Sequence, residues 1–222
     1  MRLRIFLLLL FITACTPQKT TVDEMPQTLS VYSSSAADAW IPLVYACAEH
    51  SPFGLVARNQ NIDSSDISLR LIAPNNSVLT AYQVGEVDIA VVGNVTNPLS
   101  ALTQAQVLAI FDGRINNWAQ VGWEDAEIRL WVYGEKKDLQ QVFGEALLEN
   151  RKLSSLARQA QNIEEMRREI AKDANALGVI SYVDSNESFR ILYDVGTFPV
   201  FAIVRVEIEK ELFTLLRCLQ EG

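Results

Sequence analysis

Apolar and polar positions along this chain alternate between strand-like and helix-like segments. Residues 27–32 read as a first strand, and Ser33, Ser34 and Ser35 as the turn and cap that follow it. The next helix carries Trp40, Leu43, Val44 and Cys47; Pro42 limits how far upstream it can start, which makes Asp38 an alternative cap. A second strand is expected over 69–73, a short helix over 75–82, and a third strand over 87–92. The third strand is nearly all apolar and therefore buried on both faces. Further on, the pattern predicts a strand at 128–132, helices at 139–148 and 163–171, strands at 179–183 and 201–206, and an amphipathic helix at 209–219. Alternation of this kind means an α/β fold with helices covering the sheets.

The best-marked helix lies between Leu102 and Trp118. Thr103 and Gln106 stand at the spacing of a capping box, with Leu102 and Val107 placed as a hydrophobic staple. Val107, Ile110 and Phe111 form the apolar stripe, and Gly113 supplies the left-handed stop. Asn116 and Asn117 then turn the chain, and Trp118 returns a large apolar group to the body.

The N-terminus adds a compartment. Arg2 and Arg4 precede an apolar run over 5–12, and Ile12-Thr13-Ala14-Cys15 resembles a bacterial lipobox. On that reading 1–14 is a signal peptide, Cys15 is the acylated first residue that anchors the protein to a membrane, and 15–27 is a flexible tether. The expected location is extracytoplasmic and lipid-anchored. Hydrophobic residues make up 49% of the chain, ample for a core. The formal charge of −8 argues against a nucleic-acid partner, which requires a basic face. After Cys15 only Cys47 and Cys218 remain. An oxidising compartment permits a bridge between them, and two separately buried thiols are equally compatible with the sequence. Cys47 and His50 stand at a metal-like i, i+3 spacing, but two ligands make no site and a helix end is the simpler reading.

The residues 102–122, LTQAQVLAIFDGRINNWAQVG, resemble the segment that opens the second lobe in phosphate-binding proteins of bacterial ABC phosphate transporters. That segment reads Leu-Thr, a helix ending Ile-Phe-x-Gly, then Asn-Trp and Val-Gly. ALGVISY at 176–182 is similar to the same family's Ala-Ile-Gly-Tyr strand, and Phe198-Pro199-Val200 to its closing Tyr-Pro-Leu segment. The resemblance implies a two-lobed type 2 periplasmic-binding-protein-like fold, each lobe a mixed sheet flanked by helices. Lobe I would comprise 28–98 and 188–222 and lobe II 99–187, with crossings at Asn97-Pro98 and 184–188. Cys47 and Cys218 would then both lie in lobe I. The implied function is that of an ABC-importer solute-binding protein, with a small polar solute or oxyanion held in the cleft and a permease as partner. A binding-protein-like lipoprotein without small-molecule ligand, acting as an interaction or sensory module, is the alternative.

The phosphate chemistry of that family is not legible here. Where the family carries an Arg this chain has Tyr133, and where it carries Gly-Ser-Gly-Thr this chain has Lys136, Lys137, Asp138 and Leu139. Lys136 and Lys137 can hold an anion as point charges or stand solvated, and Asp138 reads as a helix N-cap that would repel one. After the third strand the chain runs into Gly93 and Asn94, an uncharged donor–acceptor or a simple strand-ending turn. Ser33, Ser34 and Ser35 keep a hydroxyl-rich first turn. The candidate ligand-binding set is therefore Ser33, Ser34, Ser35, Gly93, Asn94, Tyr133, Lys136 and Lys137. No catalytic, metal or cofactor site is expected: His50 is the only histidine, and no phosphate-cradling Gly-rich loop or paired-Cys metal motif occurs.

Overall fold

The computed structural model describes residues 27–148, 151–182 and 189–222. The signal peptide, Cys15, the tether up to its last residue and the crossing at 184–188 lie outside the described residues.

Eight strands join in one mixed sheet: β1 (Gln27–Ser33), β2 (Phe53–Arg58), β3 (Ile67–Arg70), β4 (Leu79–Asn94), β5 (Arg129–Tyr133), β6 (Arg158–Ala160), β7 (Ala176–Tyr182) and β8 (Phe189–Arg205). Their order across the sheet is β2-β1-β3-β8-β4-β7-β5-β6. The helices are α1 (Ile41–Ala48), α2 (Gln104–Phe111), α3 (Asp138–Phe143), α4 (Ile163–Lys172) and α5 (Glu209–Glu221), and a π-helical turn, Gly144–Leu148, prolongs α3.

The two long antiparallel strands β4 and β8 organise the molecule. Near one end β3 pairs with Phe201 to Val204 of β8; near the other β7 pairs with Asp88 to Gly93 of β4. The half built on β1, β2 and β3 and the half built on β5, β6 and β7 are therefore offset along one shared ladder. Passage between halves lies within continuous strands, where the β4–β8 register shifts at Gln83/Gly85 and again at Ile89/Ala90. This differs from a crossing at Asn97-Pro98. Asn97 is instead fully buried in the turn after β4, where its Oδ1 accepts from the Leu99 N–H at 3.0 Å. Pro199 fits inside β8 because it lies beside one of these irregularities, where a missing N–H is tolerated. Gly85 has no room for a side chain: a Cβ there would come within 2.6 Å of Trp40 Nε1.

The marked helix forms as its sequence dictates. Thr103 Oγ1 accepts from the Gln106 N–H at 3.3 Å, and the Thr103 N–H donates to Gln106 Oε1 at 2.8 Å. Val107 and Phe111 are fully buried, and Gly113 turns the chain at φ 84°. The Phe111 ring meets Phe143 of α3 at 4.7 Å between centroids. Trp118 is wholly buried, donates from Nε1 to the Asn175 carbonyl at 3.1 Å, and packs edge-on against Trp123.

Of the two compatible states for the cysteines, the structure has the bridge: Cys47 of α1 and Cys218 of α5 form a disulfide with 5.7 Å between Cα atoms. Cys47 is thus no metal ligand, and His50 Nδ1 lies 3.2 Å from the Ala46 carbonyl at the end of α1.

Three expectations are corrected. Residues 75–82 are not a helix; Asn76 Oδ1 accepts from the Val78 and Leu79 N–H groups at 3.1 and 3.0 Å, which launches β4 rather than capping a helix. The second strand ends at Arg70 instead of continuing to 73. Asp138 is not an N-cap: Lys137 holds that position, and the Asp138 carboxylate points elsewhere.

Candidate functional site

A cavity of about 360 Å³ opens between the two halves of the sheet. One wall comes from the turn after β1, with Tyr32, Ser33, Ser34, Ser35 and Asp38, and from Arg58 at the end of β2. The other comes from the β5–α3 connection, with Tyr133, Lys136, Lys137 and Asp138, and from the start of α4, with Asn162 and Glu164. The sequence places these groups there for local reasons. The turn after β1 is anchored by the Ser34 N–H, which donates to the Leu69 carbonyl at 2.9 Å. The β5–α3 connection is closed by the Lys137 N–H on the Gly134 carbonyl at 2.9 Å. Asn162 caps α4 by accepting from the Glu165 N–H at 2.9 Å.

Six of the eight sequence-derived candidates meet here: Ser33, Ser34, Ser35, Tyr133, Lys136 and Lys137. Gly93 and Asn94 do not. The Asn94 amide donates to the Ile170 and Ala171 carbonyls at 2.8 and 2.9 Å, and its Oδ1 accepts from Thr96, so its side chain ties β4 to the end of α4. A Cβ on Gly93 would sit 3.0 Å from Leu192.

The hydroxyls differ in their partners. Ser33 Oγ donates to the Ser34 carbonyl at 3.0 Å. Ser34 Oγ and the Tyr133 hydroxyl are buried with no hydrogen-bond partner among the described residues. Burial pushes the Tyr133 phenol well above its ordinary value, the nearby Arg167 opposing the shift and Glu164 adding to it. Lys136 and Lys137 are exposed at the rim, with no ion-pair partner among the described residues.

Two guanidinium groups, those of Arg58 and Arg70, are already engaged. Arg58 Nη2 lies 2.8 Å from Asp38 Oδ1, with both side chains more than a third exposed. Arg70, at the end of β3, donates from Nη2 to Asp138 Oδ1 at 2.5 Å and from Nε to both carboxylate oxygens at 3.1–3.2 Å. The Leu71 N–H donates to Asp138 Oδ2 at 3.1 Å. Asp138 is 5% exposed, and its hydrogen bond raises the Arg70 pKa above the ordinary value. Tyr32 is raised as well, by partial burial and then by the Asp138 charge, with Arg70 opposing.

Arg58 and Arg70 escaped the sequence reading for different reasons. β2 is a short segment, FGLVAR, without clear alternation. Arg70 sat inside an expected strand, and a charged residue at the end of a buried strand was the available signal.

Residues 59–198 match the PBP superfamily domain, well over half of the chain. The chain belongs to the PBP superfamily. In fold it is similar to a Clostridium perfringens protein assigned as a phosphate ABC transporter substrate-binding protein and solved with bound phosphate. That pair aligns with TM-score 0.76 and 18% identity over 87% of this chain and 93% of that one. An ABC-type phosphate transport receptor from Vibrio cholerae aligns with TM-score 0.64 and 18% identity over 86% and 94%. The regulatory domain of a LysR family regulator from N. meningitidis aligns with TM-score 0.59 and 11% identity over 87% and 93%. No curated protein matches the chain in sequence. The fold is thus the two-lobed α/β fold of periplasmic binding proteins, and at these identities the likeness concerns the fold alone.

Proposed function

We propose that the protein is an extracytoplasmic solute-binding component of an ABC importer, anchored through a lipid on Cys15, which takes a small polar solute or oxyanion in the cavity between the lobes. The observation that carries this reading is the pair of buried, unpartnered hydroxyls, Ser34 Oγ and Tyr133 OH, on residues that line the cavity from opposite halves of the sheet. A buried donor without a partner is costly, and a bound solute that accepts from both relieves that cost. Lys136 and Lys137 at the rim add charge for an anionic ligand. The Cys47–Cys218 bridge suits an oxidising, extracytoplasmic compartment. Among the described residues no helix is long and apolar enough to cross a membrane, and attachment through Cys15 needs none. The phosphate-binding relatives support a small anionic solute and a permease partner.

A thermal-shift screen against oxyanions and small polar metabolites tests the binding reading. A ligand specific to the folded state must raise the melting temperature with concentration, and Ser34→Ala with Tyr133→Phe must abolish the rise. A screen without any such solute overturns it. The anchor is tested by fractionation: Cys15→Ser should release the protein from membranes, and unchanged membrane association would remove the lipid assignment.

A further inference from the structure

A relative of the same fold was solved with bound phosphate. In the present chain an anionic group of the chain itself lies between the two lobes. The Asp138 carboxylate, from the lobe of β5–β7, lies against the guanidinium of Arg70 and the backbone N–H of Leu71, both from the lobe of β1–β3. Its two oxygens accept four hydrogen bonds in all, the environment that a bound oxyanion requires. The group is almost wholly buried, and Arg70 supplies its counter-charge.

We propose that Asp138 is a built-in ligand: Arg70 and the Leu71 amide form an oxyanion subsite that the chain fills with its own carboxylate, latching the lobes together without solute. The inference deepens the solute-binding reading of the cavity and rests on it for the subsite's role. Two consequences follow from charge. An incoming dianion meets a guanidinium already neutralised and a fixed carboxylate beside it, which disfavours it by like-charge repulsion. The latch leaves the buried hydroxyls of Ser34 and Tyr133, on residues that line the cavity, without a partner, so the solute that suits the intact cavity is a neutral or weakly anionic polar molecule that can accept from them.

The test is titration calorimetry with inorganic phosphate on the wild-type chain and on Asp138→Ala, Asp138→Asn and Asp138→Ala with Arg70→Gln. Asp138→Ala is expected to bind phosphate at least about ten-fold more tightly than wild type, and the gain should vanish with Arg70→Gln. Asp138→Asn keeps the shape of the latch without its charge and serves if the alanine variant does not fold; it should show a smaller gain and a larger radius of gyration in solution scattering. No gain in either folded variant, or a gain that survives Arg70→Gln, overturns the proposal. The thermal screen separates the two readings. If no solute stabilises wild type while Asp138→Ala gains Arg70-dependent phosphate binding, the built-in ligand stands and the solute-binding reading falls. If solutes stabilise wild type and neither Asp138 variant gains, the reverse holds.

Discussion

The side chains of Arg70 and Asp138, 68 residues apart and on opposite lobes, share three hydrogen bonds, of which the shortest is 2.5 Å. A second ion pair borders the same cavity, Arg58 with Asp38, but both of its side chains are more than a third exposed. Exposure decides their weight. Arg70→Ala strands a buried carboxylate and is expected to cost about 2–4 kcal/mol in urea unfolding. Arg58→Ala should cost less than about 1 kcal/mol, because water screens the exposed pair. Equal costs would show that the Arg70 pair is solvated.

Tyr133 holds a buried hydroxyl without a partner. Tyr133→Phe should therefore leave unliganded stability unchanged or raise it by about 1 kcal/mol, while removing solute-induced stabilisation. Its pH signature has a definite sign. The folded phenol is raised above its unfolded value, so its contribution is fully present below about pH 10 and is lost as pH rises from there toward the folded pKa. Urea midpoints measured from pH 8 to 10.5 should fall more steeply for wild type than for Tyr133→Phe.

Trp118 and Thr103 belong to one marked segment but do different work. Trp118→Ala removes a fully buried indole and should cost about 3–5 kcal/mol. Thr103→Ala loses only the cap and should cost about 1 kcal/mol. Small and equal losses on denaturation would mean that this segment is not core.

The Cys47–Cys218 bridge closes a separation of 171 residues between α1 and α5. Replacing both cysteines by alanine should lower stability by about 2–5 kcal/mol, read from the melting temperature at fixed protein concentration. An unchanged melting temperature would show that α1 and α5 are held by packing alone.

How far the sequence was legible depended on whether the determinants were local. The capping box of Thr103 and Gln106, the Gly113 stop and the amphipathic α5 are written in adjacent residues, and each forms as read. Residues 75–82 misled because Val78, Leu79 and Tyr82 mimic a helical face, whereas pairing with β8 pulls the chain from Leu79 onward into a strand. β6 is three residues long and carries no periodicity of its own. In the cavity the serine turn and the lysine pair were visible as motifs. The Arg70–Asp138 pair was not, because nothing local links a strand end to a helix start across the cleft.

Titration calorimetry of inorganic phosphate into the wild-type chain and into Lys136→Ala with Lys137→Ala asks most directly whether this cavity keeps the phosphate chemistry of its fold relatives. The family resemblance sets Tyr133 and Lys136–Leu139 where phosphate-binding proteins carry an arginine and Gly-Ser-Gly-Thr, and with Arg70 held by Asp138 it implies the loss of at least two charge-assisted bonds. At roughly 1.5–3 kcal/mol each, their loss weakens binding by about two to four orders of magnitude. The expected result is weak binding or none to wild type, with any residual affinity lost in the double-lysine variant. Sub-micromolar affinity unchanged by that variant would contradict it.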